Sequence, residues 1–356
     1  MTNHSKKQLK VAVVGYKLAE GGLERVFGNT TKMLHDAGIE VHTLVLENLI
    51  EYEHGGKLIT FGNYSKFLKY FKLRSYLKSQ KFDYIIDFRH RINPKMEWLF
   101  LNFIYHNQKF IYTIHSSQNA TYLTANNFIA KQMMQKAYKM VTVSNFIKQQ
   151  LATKYNFDSA IVIPNAFDLK PVSTAEKLPF DYCIAVGRLV SLKQFDKLVA
   201  SYSNSILPKK NIHLVILGVG DEREIIEKTI LENKVSEFVH LLGFKSNVSD
   251  YISNAKFLVL SSKYEGFPMT VLEALSLGTP VISFDCESGP NEMIINNENG
   301  ILVENQNFTE LTRKMNIFVE DEILYQNCKH NAVSSVAKFQ SNVIVNHWLQ
   351  LLNYGN

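Results

Sequence analysis

Cysteine is scarce. The three cysteines in 356 residues, Cys183, Cys286 and Cys328, are widely spaced, odd in number and outside any Cys-x-x-Cys pair. That argues against a disulfide framework or a zinc ligand set and fits a reducing compartment. Long apolar runs are missing as well. Val11 to Val14, behind a polar and basic N-terminus, is too short for a signal peptide or a spanning helix. The expectation is a chain made and kept in the cytoplasm, soluble or peripheral on the cytoplasmic face of the inner membrane. No Asp-x-Asp pair occurs that could hold Mg²⁺ or Mn²⁺ on a phosphate. The first loop after a strand lacks Gly-x-Gly-x-x-Gly, since Gly15 is followed by Tyr16 and Lys17. A nicotinamide-binding oxidoreductase is therefore disfavoured.

What is present supports two cores. The length exceeds the usual single domain, and 46% of residues are hydrophobic. Strand-like runs at Leu9–Val14, Glu40–Leu46, Tyr84–Phe88, Phe110–Ile114 and Met140–Val143 alternate with helices, and Ile161-Val162-Ile163-Pro164-Asn165 ends this half. After a linker at Lys170–Pro179 the pattern starts again, with strands at Tyr182–Val186, His213–Leu217, Val239–Leu242, Phe257–Leu260 and Pro280–Phe284. Two series of βα units predict two Rossmann-like, doubly wound parallel-sheet domains facing across a cleft. The expected boundaries are 1–168 and 169–356, with a last helix at about 340–356 crossing back to the first domain. Ligands of such sheets sit beyond the carboxyl ends of the strands. Charge is uneven: residues 1–165 carry 22 Lys/Arg against 11 Asp/Glu, and residues 166–356 carry 17 against 22. A basic half points to an anionic partner: nucleic acid, an acidic polymer or a membrane surface.

The densest chemistry lies in Tyr264-Glu265-Gly266-Phe267-Pro268-Met269-Thr270-Val271-Leu272-Glu273-Ala274-Leu275. A strand runs into a turn with Glu265 and Gly266. Pro268 suits the first turn of a helix reaching about Leu277, and Gly278 suits its left-handed cap. The helix N-terminus is an anion site, and Glu273 lies roughly 7–8 Å along the axis inside it. Two carboxylates bracketing a phosphate-sized site can hold hydroxyls on either side of a diphosphate, the shape of a nucleotide-sugar site.

Further pieces occur in order: Gly21-Gly22-Leu23-Glu24-Arg25-Val26, Thr113-Ile114-His115, Ile163-Pro164-Asn165, Val186-Gly187-Arg188-Leu189 with Lys193, Leu217-Gly218-Val219-Gly220, Leu242-Gly243-Phe244, Gly278-Thr279-Pro280-Val281-Ile282 and Gly300-Ile301-Leu302-Val303. Together they span nearly the whole chain, which resembles a GT-B-fold glycosyltransferase of the large retaining family 4. The resemblance implies that Arg188 and Lys193 bind the donor's pyrophosphate and stabilise the leaving nucleotide as its charge develops. It implies that Glu273 accepts hydrogen bonds from the ribose, that Glu265 contacts the donor sugar, and that backbone N–H groups over Gly266, Phe267, Pro268, Met269 and Thr270 line sugar and phosphate. Leu242, Gly243 and Phe244 would line the base. His115 would meet the sugar near the reacting carbon, and Gly21 and Gly22 would let backbone approach the phosphate and the acceptor. Ser288 and Gly289, in the loop Asp285–Glu292, would lie near the donor sugar, a loop type found with UDP-linked sugars. No metal and no cofactor are expected, because fixed cations and a helix N-terminus do the metal's electrostatic work.

Two features lie outside those motifs. Arg89 and Arg91, in Asp87-Phe88-Arg89-His90-Arg91, would suit an acceptor's diphosphate as well as a solvated surface. His54–Phe82 holds seven cations and no acid, with Phe67, Tyr70, Phe71, Arg74 and Lys78 near one helical stripe. A basic amphipathic helix reads as a dock for an anionic membrane, and an ordinary helix with a solvated lysine face is the alternative. The functional expectation is transfer of a hexose or N-acetylhexosamine from a UDP-linked donor to a glycan or lipid-linked glycan acceptor in cell-surface polysaccharide assembly, with no nucleic acid involved. A GT-B-like epimerase and a non-catalytic polyanion- or membrane-binding protein are the competitors. A phosphorylase would need a pyridoxal-phosphate lysine context that no segment supplies.

Overall fold

The computed structural model describes residues 8–168 and 177–353. The linker residues 170–176, the basic segment 1–7 and residues 354–356 of the expected last helix lie outside them. The chain divides into two compact units, 1–166 with 339–356, and 167–338.

The first unit is a seven-stranded parallel sheet. Its strands are β1 (Lys10–Gly15), β2 (Glu40–Val45), β3 (Lys57–Thr60), β4 (Tyr84–Asp87), β5 (Phe110–Ile114), β6 (Lys139–Thr142) and β7 (Ile161–Val162). Their order across the sheet is β3-β2-β1-β4-β5-β6-β7. The central strands read as unbroken apolar runs because helices cover both faces. Every residue of β4 and β5 is buried. The helix Ser341–Leu351 packs on the helix Gly22–Asp36 and buries Ile344 and Trp348 in this unit. The first unit therefore contains the C-terminal helix.

The second unit is a six-stranded parallel sheet of β8 (Asp181–Val186), β9 (Ile212–Leu217), β10 (Val239–Gly243), β11 (Leu258–Leu260), β12 (Val281–Phe284) and β13 (Gly300–Val303), in the order β10-β9-β8-β11-β12-β13. One apolar cluster gathers on a single face of this sheet and includes Ala185, Leu214, Val259 and Ile282 from the strands and Met315 from a covering helix. Both sheets are doubly wound about a central first strand, which puts the strand-end loops of each at one edge.

The stretch His54–Phe82 departs from expectation. Lys57–Thr60 is a half-exposed edge strand paired to β2, so the helix covers only Leu68–Gln80. It buries Leu73 and Leu77 rather than the expected stripe. Tyr70 packs edge-on against Phe100, Phe71 against Phe103, and the Arg74 guanidinium lies 4.1 Å from the Phe103 ring centre. Those three residues brace a π-helical turn, Phe100–Ile104.

Candidate active site

In the second unit the loop after β8 is shaped by close backbone approach. Gly218, at φ +138°, packs so near the Gly187 carbonyl that a methyl group there would collide with it. The loop is tied down by Leu189 N–H to the Val219 carbonyl at 2.9 Å. Its far end is held to β11: the Ser261 hydroxyl donates to the Lys193 carbonyl at 2.7 Å, and Lys263 N–H to Leu192 at 2.9 Å. Arg188 is exposed at the loop's start. Lys193 Nζ, mostly covered, donates to Glu265 Oε1 at 2.6 Å, with the two side chains 17% and 12% exposed. The sequence motifs, 72 residues apart, thus meet in one ion pair.

Beyond Glu265 the chain turns through Gly266–Pro268 into the helix Met269–Ser276. Pro268 takes the N-cap position, one residue earlier than its expected place inside the helix, and Gly278 adopts φ +76° after it. The first turn carries no acidic side chain, so the partial positive charge of the helix start is left for an anion. The segment Asp285–Glu292 is stapled to this turn. Glu265 N–H donates to the Glu287 carbonyl at 3.1 Å, and the Ser288 hydroxyl donates to the Gly266 carbonyl at 2.5 Å. Ser288 and Gly289 both hold positive φ, and Gly289 lies against Pro268, where a Cβ would collide with the ring. Glu273 is buried at 2% exposure and accepts from the Ser249 hydroxyl at 2.6 Å. At the neighbouring strand ends, the Gly243 carbonyl accepts from Gly218 N–H at 2.8 Å, and Phe244 is 65% exposed. Arg188, Lys193, Glu265, Gly266 to Thr270 and Glu273 therefore stand on carboxyl-end loops of one sheet or the helix that follows, with Leu242 and Gly243 at the end of β10 and Phe244 just beyond it. The arrangement offers two cations, a helix start, a buried carboxylate and an exposed aromatic, a set suited to a nucleoside diphosphate.

In the first unit, His115 follows β5 with its ring 5.0 Å from Phe88 and 5.9 Å from Tyr122, on the wall of a cavity of about 10 Å³ shared with Thr113 and Asn165. Burial, and then the positive charges of Arg91 and His90, push its pKa down to about 3. The imidazole is neutral at every physiological pH, able to hydrogen-bond but not to act as an acid. Gly21 is the extended N-cap residue of the helix Gly22–Asp36, and a side chain there would strike the Glu24 carboxylate. Gly22 faces open space.

Arg89 and Arg91 correct an expectation. Both are fully buried, so neither is available to an acceptor's diphosphate. Arg89 donates to Asp87 Oδ2 through Nη2 at 2.8 Å and Nε at 3.1 Å, and to Glu97 Oε2 at 3.2 Å. Arg91 donates to the carbonyls of Tyr122 at 2.7 Å, Asp87 at 3.0 Å and Thr113. Tyr105 donates its hydroxyl to Asp87 at 3.0 Å. Burial opposes the Arg89 charge, yet Asp87 and Glu97 outweigh it and hold the guanidinium charged. Burial also raises the Glu97 pKa. These charges brace the ends of β4 and β5. Two further participants were not foreseen from sequence: Ser249, 24 residues from Glu273, and Glu97.

Known proteins match this arrangement. A sequence profile of Glycosyltransferase Family 4 matches residues 20–170, and one of Glycosyl transferases group 1 matches residues 168–334. An uncharacterized glycosyltransferase of Haemophilus influenzae is 27% identical over 60% of this chain, and the match spans 61% of that protein, about three fifths of its length. The N-acetylgalactosamine-N,N'-diacetylbacillosaminyl-diphospho-undecaprenol 4-alpha-N-acetylgalactosaminyltransferase of Campylobacter jejuni is 25% identical over 96% of this chain and 99% of its own. Among solved structures, a mutant of S. aureus TarM in complex with Fondaparinux, alpha-GlcNAc-glycerol and UDP superposes with a TM-score of 0.82 at 14% identity, over 97% of this chain and 100% of the other. With two doubly wound parallel sheets and both profiles matched in order, the chain belongs to the family 4 glycosyltransferases of GT-B fold.

Proposed function

We propose that the protein transfers a hexose or N-acetylhexosamine from a UDP-linked donor, with retention of anomeric configuration, to a glycan or lipid-linked glycan during cell-surface polysaccharide assembly. The observation that carries this reading is the Lys193–Glu265 pair at 2.6 Å, which joins the loop that carries Arg188 to the turn leading into the helix Met269–Ser276. An ammonium has three N–H donors. One is committed to Glu265, and two remain for the donor's phosphates. As the sugar–phosphate bond breaks, negative charge builds on the leaving nucleotide, and Arg188, Lys193 and the helix start stabilise it without a metal. Glu273 holds the ribose and Phe244 covers the base. The names of the Campylobacter relative and the TarM complex support an N-acetylhexosamine, a lipid-linked acceptor and UDP. A thermal-shift panel of UDP-, GDP- and ADP-sugars tests the donor, since a ligand that binds only the folded state raises Tm. A rise with UDP-sugars alone is expected; selective stabilisation by GDP- or ADP-sugars would contradict the reading.

The two glutamates separate in calorimetry. Glu273→Gln should weaken binding of free UDP, because charge-assisted bonds worth about 1.5–3 kcal/mol are lost. Glu265→Gln should leave UDP affinity near wild type and lower turnover with the full donor. The reverse pattern exchanges their roles.

The same reading places the first unit at an anionic lipid surface. Phe67 is 79% and Phe71 59% exposed, beside exposed Lys66, Lys72 and Lys78. Apolar insertion flanked by cations of about 1 kcal/mol each near the surface is the chemistry of such docking. The protein should sediment with phosphatidylglycerol vesicles and release as salt rises. The triple change Lys66→Gln, Lys72→Gln, Lys78→Gln should abolish sedimentation and slow transfer to a lipid-linked acceptor while sparing a short soluble one. Unchanged sedimentation and equal rates on both acceptors would retire the membrane surface.

A further inference from the structure

A carboxylate buried among Val271, Leu272, Ala274 and Leu275 must be held by hydrogen bonds, since an unpaired charge there is costly. Glu273 receives one such bond from the Ser249 hydroxyl, at 2.6 Å on Oε1. Ser249 lies in the helix Val248–Asn254, which follows β10 and Phe244. That helix is itself fixed to the far end of the Glu273 helix, because the Thr279 hydroxyl donates to the Ile252 carbonyl at 2.8 Å. At its start, Asn247 Nδ2 donates to Asp250 Oδ2 at 3.0 Å. Ser249 therefore stands on a rigid support and not on a mobile loop. A glutamate side chain has three rotatable bonds whose freedom must be given up to present both oxygens in one orientation. A serine bond to one oxygen fixes that orientation before a ligand arrives, and preorganisation of this kind is felt as affinity.

We propose that Ser249 is a positioning residue for nucleotide recognition: it sets the Glu273 carboxylate in the orientation that receives the two ribose hydroxyls. Preference for a ribonucleotide then depends on a side chain that acts only through Glu273. The proposal rests on Glu273 as the ribose acceptor. Calorimetry with UDP and 2',3'-dideoxy-UDP, on wild type, S249A, S249T and E273Q, separates the two claims. Wild type should favour UDP. S249A should weaken UDP about tenfold, equivalent to ~1.4 kcal/mol, and leave the dideoxy nucleotide within about twofold, well under 1 kcal/mol. S249T keeps the hydroxyl and should restore the UDP value. Equal losses for both nucleotides in S249A, or no restoration by S249T in a folded protein, would show a merely structural serine and overturn the proposal. If wild type binds both nucleotides alike and E273Q keeps full UDP affinity, the ribose role of Glu273 falls and Ser249's role falls with it. If E273Q loses UDP affinity while S249A retains the wild-type preference, Ser249 alone is wrong.

Discussion

Lys193→Ala and Arg188→Ala should each lower kcat by about 10²–10³-fold, the ~2.7–4 kcal/mol typical of a lost contact to developing charge. The fold should survive both changes. Arg188 is exposed, and Lys193 is held chiefly by Glu265 and by backbone bonds that alanine keeps. Lys193→Ala also leaves Glu265 without its ammonium in a site only 12% exposed. The double variant Lys193→Ala, Glu265→Gln should therefore regain stability but not turnover. Circular dichroism and thermal unfolding establish the fold, and initial rates at saturating donor give kcat. Near-wild-type turnover in either folded single variant would remove these cations from the chemistry.

Arg89→Met should act in the opposite way, on stability far more than on binding. It strands the buried carboxylate of Glu97 and leaves Asp87 with Arg91 and the Tyr105 hydroxyl, and breaking one partner of a buried ion pair costs about 3–5 kcal/mol. A drop of roughly 10 °C in the melting of the first unit is expected. Adding Glu97→Gln should recover part of it, because the stranded charge goes. If Arg89→Met melted normally and instead raised the KM for a lipid-diphosphate acceptor, the arginine would be a ligand after all. The fully buried position of Arg89 and its bonds to Asp87 and Glu97 forecast the first result.

These cases mark what a sequence discloses. The sheets were legible because β-branched and aliphatic runs such as Val11–Val14 and Ile212–Leu217 are buried on both sides and need no pattern beyond continuity. The Glu265–Glu273 helix was legible because Pro268 and Gly278 punctuate it, although Pro268 proved to be the N-cap. β3 was not: Lys57-Leu58-Ile59-Thr60 is four residues at a sheet edge, half exposed, in a lysine-rich stretch that mimics helical spacing. Arg89 and Arg91 looked like surface cations because burial is decided by Glu97, Tyr105 and Tyr122, whose approach depends on tertiary packing. The one available signal was Asp87, an acid inside the apolar run Tyr84–Phe88, which needed a partner close at hand. Ser249 carried no signal at all. Its contact with Glu273 depends on how two helices of the second unit pack, and a serine at a helix start is too common to single out.

The most direct test of donor chemistry at Arg188, Lys193, Glu265 and Glu273 is a nucleotide-release assay in excess EDTA, with UDP-N-acetylhexosamine or UDP-hexose and a glycan acceptor. The anomeric configuration of the product is read by proton NMR. UDP release coupled to an α-linked product, undiminished by the chelator and lost in Lys193→Ala, is the predicted result. Strict dependence on Mg²⁺ or Mn²⁺, a β-linked product from an α-donor, or wild-type release by Lys193→Ala would contradict it.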